Sequence, residues 1–216
     1  MDNEEKKTEL TEQEPEQKTE AAPAAEAAEA PKKQKISEWT GWKGWVRDIL
    51  CSVLLAALIL CFIRPSVVRQ SSMENTLHEG NYLLLSRQAY RFGSVKRGDI
   101  IVFRSSLTRE NGQDKQLIKR IIGLPGETIS IEDGTVYIDG EALEEPYTKD
   151  GYTLSNLEPV TIPEGHVFCM GDNRQNSIDS RSPEVGCVPI SNIMGKVFVR
   201  LFPFNEMGGF YKDLPY

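Results

Sequence analysis

Apolar positions along this 216-residue chain follow two regimes. From Ile49 to Ile63 run fifteen residues without a charge, with Ser52 the one hydroxyl among them. A buried globular helix would carry a polar stripe, and this run has none. Counted outward to Trp45 it reaches nineteen residues, close to the roughly 20 that cross a bilayer core. Trp42 and Trp45 suit the headgroup level, and Lys43, Arg47 and Arg64 have stems long enough to reach it. A cleaved leader needs a short basic start and a small-residue cleavage site; here about 45 residues precede the run and Arg64-Pro65 follows it. The pattern predicts an uncleaved membrane anchor over 41–65.

Beyond the anchor the helical period disappears. Short stretches rich in Val, Ile, Tyr and Phe predict strands at Tyr82–Leu85, Asp99–Phe103, Leu117–Ile122, Thr128–Ile131, Thr135–Ile138, His166–Met170 and Lys196–Phe202. Asp133-Gly134 and Asp139-Gly140 mark turns, because both residue types tolerate positive φ. The stretch from Gly151 to Pro163 reads as a connection. Residues 66–216 are therefore expected to form a mainly β domain, Greek-key or barrel-like.

Composition separates the N-terminus. Residues 1–34 hold ten Asp and Glu against five Lys, so most of the net charge of −7 lies there. Rich in Glu, Ala, Lys and Pro and without an aromatic residue before Trp39, the segment 1–40 cannot bury enough apolar surface to offset its ordering entropy, and is expected to be a disordered acidic tail. The rest is nearly neutral, so no nucleic-acid partner is expected. Lys32, Lys33, Lys35, Lys43 and Arg47 precede the anchor, against Arg64 and Arg69 after it, which predicts a cytoplasmic N-terminus and a β domain outside.

The candidate chemistry centres on Ser72 and Lys119. A serine hydroxyl attacks a carbonyl only with a base to take its proton. His78 and His166 are the only histidines: one lies in a Glu-Gly turn region, the other opens a predicted strand. Lys119, in Leu117-Ile118-Lys119-Arg120-Ile121-Ile122, shares a strand face with Leu117 and Ile121. A free lysine is only about 0.1% neutral near pH 7.5, but aliphatic surroundings disfavour its charged form. No His or Cys pair stands at ligand spacing, so neither metal nor cofactor is expected; Glu144-Glu145 reads as solvated turn charge. Cys51 and Cys61 lie in the anchor. Cys169 and Cys187 lie outside, where a disulfide is permitted but not required.

Three blocks in order carry a resemblance: Ser71-Ser72-Met73-Glu74-Asn75-Thr76-Leu77, then Lys119-Arg120-Ile121-Ile122-Gly123-Leu124-Pro125-Gly126-Glu127, then Gly171-Asp172-Asn173-Arg174-Gln175-Asn176-Ser177-Ile178-Asp179-Ser180-Arg181. Together they closely resemble the motif set of type I signal peptidases, in a compact form. The resemblance implies two coiled β-sheets and a membrane-bound serine endopeptidase that removes signal peptides from exported precursors beside the secretion translocase. It makes Ser72 the nucleophile and Lys119 its base, with Ser177 hydrogen-bonding the lysine. It implies an oxyanion site at the Ser72 N–H and at position 70, here Gln70. Val68, Met73, Leu77 and Ile118 would line pockets for small substrate residues one and three positions before the cut. Gly171, Asp172, Asn173, Arg174, Asp179 and Arg181 would shape the loop, the last two as an ion pair.

Two positions depart from the family pattern: Asn75 stands where proline is usual, and Gln70 where serine or glycine is common. The rival within the same chemistry is an SOS-repressor-type autoprotease, which would carry a DNA-binding domain in place of an anchor. From another class comes a catalytically impaired, membrane-tethered homologue that binds peptides without cutting them.

Overall fold

The structure, a computed structural model, describes residues 42–109 and 112–210. The tail expected over 1–40 lies outside the described residues. Helix α1, Trp42–Phe62, has 21 residues and reaches a mean hydropathy of 2.1 over 18 of them, and none of its side chains is buried. At 1.5 Å per residue it is about 31 Å long, the thickness of a bilayer's hydrocarbon layer.

The chain passes from α1 directly into β1 (Ile63–Val67). Then come β2 (Tyr82–Ser86), β3 (Ile100–Thr108), β4 (Asp114–Gly123), β5 (Thr128–Glu132), β6 (Thr135–Ile138), β7 (Glu141–Ala142), β8 (Leu157–Thr161), β9 (His166–Met170), β10 (Val188–Pro189) and β11 (Ile193–Phe202). Seven strands form one sheet in the order β1-β2-β11-β3-β4-β9-β10, and four form a second, β7-β6-β5-β8. Every pairing is antiparallel. The domain is mainly β, as the pattern predicts.

Period-two burial accounts for the layers. On β3, Ile100 and Val102 enter a cluster with Leu83, Leu85 and Val197, while Ile101 and Phe103 enter another with Leu117, Ile121 and Val167. This central strand is thus covered on both faces, which is why it reads as a continuous apolar run. The small sheet turns Ile129, Ile131, Val136 and Ile138 onto Ile122, Phe168 and Met170, closing over the β4 and β9 part of the large sheet. Asp133 and Gly134 both take positive φ, 46° and 84°, the conformation that a two-residue hairpin turn demands.

Two expectations need correction. The helix stops at Phe62, short of 65, and the Arg64-Pro65 segment is strand β1, paired with β2 from Ile63↔Ser86 to Val67↔Tyr82. The connection expected over 151–163 contains β8. β1 and β8 each carry a proline, and both lie at a sheet edge, where a missing N–H costs no ladder bond; the two-residue strands β7 and β10 are further additions to the expected set.

Candidate active site

Ser72 lies in a single 3-10 turn, Ser71–Met73, just beyond β1. Lys119 lies on β4 among aliphatic residues of its own face and is only 1% exposed. Its Nζ is 2.6 Å from Ser72 Oγ and 3.0 Å from the carbonyl of Ile118. Burial lowers the lysine pKa to about 8, with help from the Lys115 ammonium and against the pull of the Asp179 and Asp172 carboxylates. An amine with that pKa is roughly a quarter neutral at pH 7.5, so it can accept the Ser72 proton.

The third motif wraps around the serine turn. Asn173 N–H donates to Ser72 O at 3.1 Å, Asn173 Nδ2 to Ser71 O at 3.1 Å, and Asn176 Nδ2 to Ser71 Oγ at 2.9 Å. Gly171 permits this approach, because a Cβ there would strike both Ser177 Oγ and Ser72 O. The expected ion pair is present: Arg181 donates to both Asp179 oxygens, at 2.8 and 2.9 Å, and Gly171 N–H adds a third bond at 3.0 Å. Burial would raise the Asp179 pKa, but Arg181 and Gly171 outweigh it and hold the carboxyl low.

Ser177 departs from expectation. Its Oγ is buried and has no hydrogen-bond partner, so it does not bond Lys119. The hydroxyl is near enough to Asp179 to help keep that carboxyl ionised, without the alignment of a hydrogen bond. It nevertheless lines the same cavity of about 500 Å³ as Ser72 and Lys119. Neither histidine lines that cavity.

A second cavity, about 630 Å³, abuts the first, and both include Arg69, Gln70, Lys115 and Leu117. Val68 and Ile118 line it. Met73 and Leu77, expected beside them, are 0% exposed and line neither cavity; the turn after Ser72 rotates both into the core with Leu83 and Val102. Gln70 is half-buried immediately before the serine turn, and its side chain makes no capping bond.

Sequence reasoning missed a buried polar frame behind these residues. Arg120 reaches Asp172 through two bonds, 2.9 and 2.7 Å, and stacks 4.0 Å over the Tyr147 ring. Thr76 Oγ1 donates to Asp172 at 2.5 Å. Glu145, expected to be solvated, instead grips Arg174 through 2.7 and 2.5 Å bonds and accepts from Tyr147 OH at 2.8 Å. Arg174 also donates to Thr153 Oγ1 at 2.6 Å. Asn75 takes a φ of 86° and donates to Tyr147 O at 3.1 Å. Cys169, buried, and Cys187, half-buried, are free thiols, and burial raises the pKa of both.

The family described as signal peptidase, peptidase S26, matches residues 42–202. Signal peptidase I of Bacillus licheniformis is 38% identical over 174 residues, covering 75% of this chain and 89% of that protein. Signal peptidase I T of Bacillus subtilis (strain 168) is 40% identical over 173 residues, 74% of this chain and 86% of that protein. A crystal structure of a signal peptidase I from Enterococcus faecalis V583 is 33% identical, covers 48% of this chain and 96% of that chain, and aligns with a TM-score of 0.40.

Proposed function

Because the chain belongs to the signal peptidase family, peptidase S26, and so removes signal peptides as a serine endopeptidase, we propose that Ser72 is its nucleophile and Lys119 the base that activates it. The observation that carries this is the 2.6 Å contact between Nζ and Oγ, made by a lysine whose burial brings its pKa to about 8. The neutral amine takes the hydroxyl proton as Oγ attacks the scissile carbonyl. The ammonium so formed gives that proton to the departing amine, and Lys119 then activates the water that releases the acyl group. Ser177 Oγ, buried and unpartnered in the same cavity, becomes an acceptor for the ammonium once its side chain turns toward Nζ. The oxyanion is held by Ser72 N–H together with the Gln70 side-chain amide, which has two donors.

The substrate lies extended along the two abutting cavities, with small residues one and three positions before the cut against Val68 and Ile118. Helix α1 anchors the enzyme in the bilayer, with the acidic tail in the cytoplasm and residues 66–216 outside beside the translocase. A peptide-binding homologue without activity is disfavoured, since the contact between Ser72 and Lys119 is intact.

The test uses the full-length protein in detergent with a fluorogenic Ala-x-Ala peptide. Ser72→Ala, Lys119→Ala and Lys119→Arg each abolish turnover, the last because guanidinium keeps its proton. Gln70→Ala lowers kcat by about 100-fold or more with KM little changed. Phe in place of the residue before the cut nearly eliminates cleavage. Activity retained in Lys119→Arg, or equal rates for Ala and Phe, overturns the reading.

A further inference from the structure

Among the described residues, the larger cavity beside the active site is lined by three cations, Arg69, Arg109 and Lys115, and by no carboxylate. Among the described residues none of the three side chains has an ion-pair partner. Lys115, Leu117 and Lys119 are alternate residues of β4 and therefore point to one face, whereas Asp114 belongs to the other. The Lys115 charge is felt at Lys119, as expected for two groups looking into the same space. Glu79 lines the smaller cavity together with Ser72, Arg69 and Lys115, and does not line the larger one.

Resting on the proposed substrate path, we infer that Arg109 and Lys115 form a cationic subsite that selects an acidic residue in the signal peptide about four to six positions before the cut. The position follows from strand spacing. Lys115 precedes Lys119 by four residues, about 13 Å of strand, and an extended peptide covers that distance with about four residues of its own. Val68 and Ile118 lie with Arg109 in the larger cavity, so the cations fall on the same side of the scissile bond as the small residues. Arg69, which lines both cavities, adds positive potential along the path. A carboxylate entering there meets the exposed Arg69 and Arg109 and the half-exposed Lys115, each such pair giving up to about fivefold in binding. An ammonium at the same position meets repulsion from all of them.

The experiment compares three Ala-x-Ala peptides that differ only five positions before the cut, carrying Asp, Ala or Lys, on the full-length enzyme in neutral detergent. Expected is a kcat/KM for Asp about fivefold above Lys at low salt, with most of the gap closing at about 0.5 M salt. Lys115→Gln with Arg109→Gln should erase the preference, and Lys115→Glu with Arg109→Glu should reverse it. Equal rates for Asp and Lys while the Ala peptide is cut overturn the subsite and leave the proposed catalytic reading intact; failure to cut the Ala peptide overturns that reading instead. A preference that persists in the double variants overturns the assignment to these residues. Loss of binding to phosphatidylglycerol vesicles with peptide preference unchanged assigns the cations to lipid headgroups and overturns it too.

Discussion

Glu145 and Arg174 meet through two parallel hydrogen bonds, 2.7 and 2.5 Å, with side chains only 9% and 1% exposed. The carboxylate comes from the loop after β7, and the guanidinium from the loop that holds the serine turn through Asn173 and Asn176. Removing one partner of such a pair leaves the other charge buried and uncompensated, which costs about 3–5 kcal/mol. Glu145→Ala should therefore lower the unfolding free energy by about that amount in denaturant titration and reduce kcat. Glu145→Ala combined with Arg174→Met should be less destabilised than Glu145→Ala alone. An additive double variant would contradict the coupling.

Asn75 offers a sharper test of the loop around the nucleophile. Its φ of 86° lies in a region that proline, locked near −65°, cannot enter. Restoring the residue usual in the family at this position, Asn75→Pro, should destabilise the domain by well over about 1 kcal/mol and abolish cleavage. Asn75→Gly keeps the backbone conformation and loses only the bond to Tyr147 O, so most activity should remain. Full activity in Asn75→Pro would show that the turn takes another conformation.

Cleavage should rise with pH through about 8 and level off above it, as the Lys119 amine loses its proton. Burial is the first cause of that lowered value, so adding a polar neighbour should move the midpoint up. A profile still climbing beyond about 10.4, the ordinary lysine value, would contradict the burial argument.

The same shift governs stability, with a sign that can be fixed. The folded value is below the unfolded one, so between about 8 and 10.5 the unfolded chain holds a proton that the folded chain has released. Lys119 therefore destabilises the fold at neutral pH, and that penalty disappears as pH rises through this window. Lys119→Met, inactive, should be more stable than the parent at pH 7 by something on the order of 3 kcal/mol. Denaturant titration across pH should show the difference narrowing toward pH 10.5. An unchanged difference from pH 7 to 10.5 would rule out this linkage.

Most of the fold and the burial of Lys119 were legible because their signals are local, whereas Ser72 was singled out by the resemblance of its motif. Lys119 announces its burial through Leu117 and Ile121, and each Asp-Gly pair announces its turn. The frame behind them was not legible, since Arg120 and Asp172 are 52 residues apart and Arg174 and Glu145 are 29 apart. Glu145 looks like any surface glutamate until the fold delivers Arg174 to it. Met73 and Leu77 were misplaced for a related reason: the 3-10 turn Ser71–Met73 and the further turn over 74–76 aim side chains at angles that neither period two nor period 3.6 encodes. Strands β1 and β8 were hidden by Pro65 and Pro159, residues that only an edge position excuses.

The direct passage from α1 into β1 has a consequence for which substrates are reached. Nine residues separate Phe62 from Ser72, and five of them are held in a paired strand. Under the membrane reading proposed above, the nucleophile stands on a stiff post of set height rather than on a tether. Such an enzyme works as a ruler as well as a reader: a small-residue pair at the wrong height above the bilayer is passed over, however acceptable its sequence.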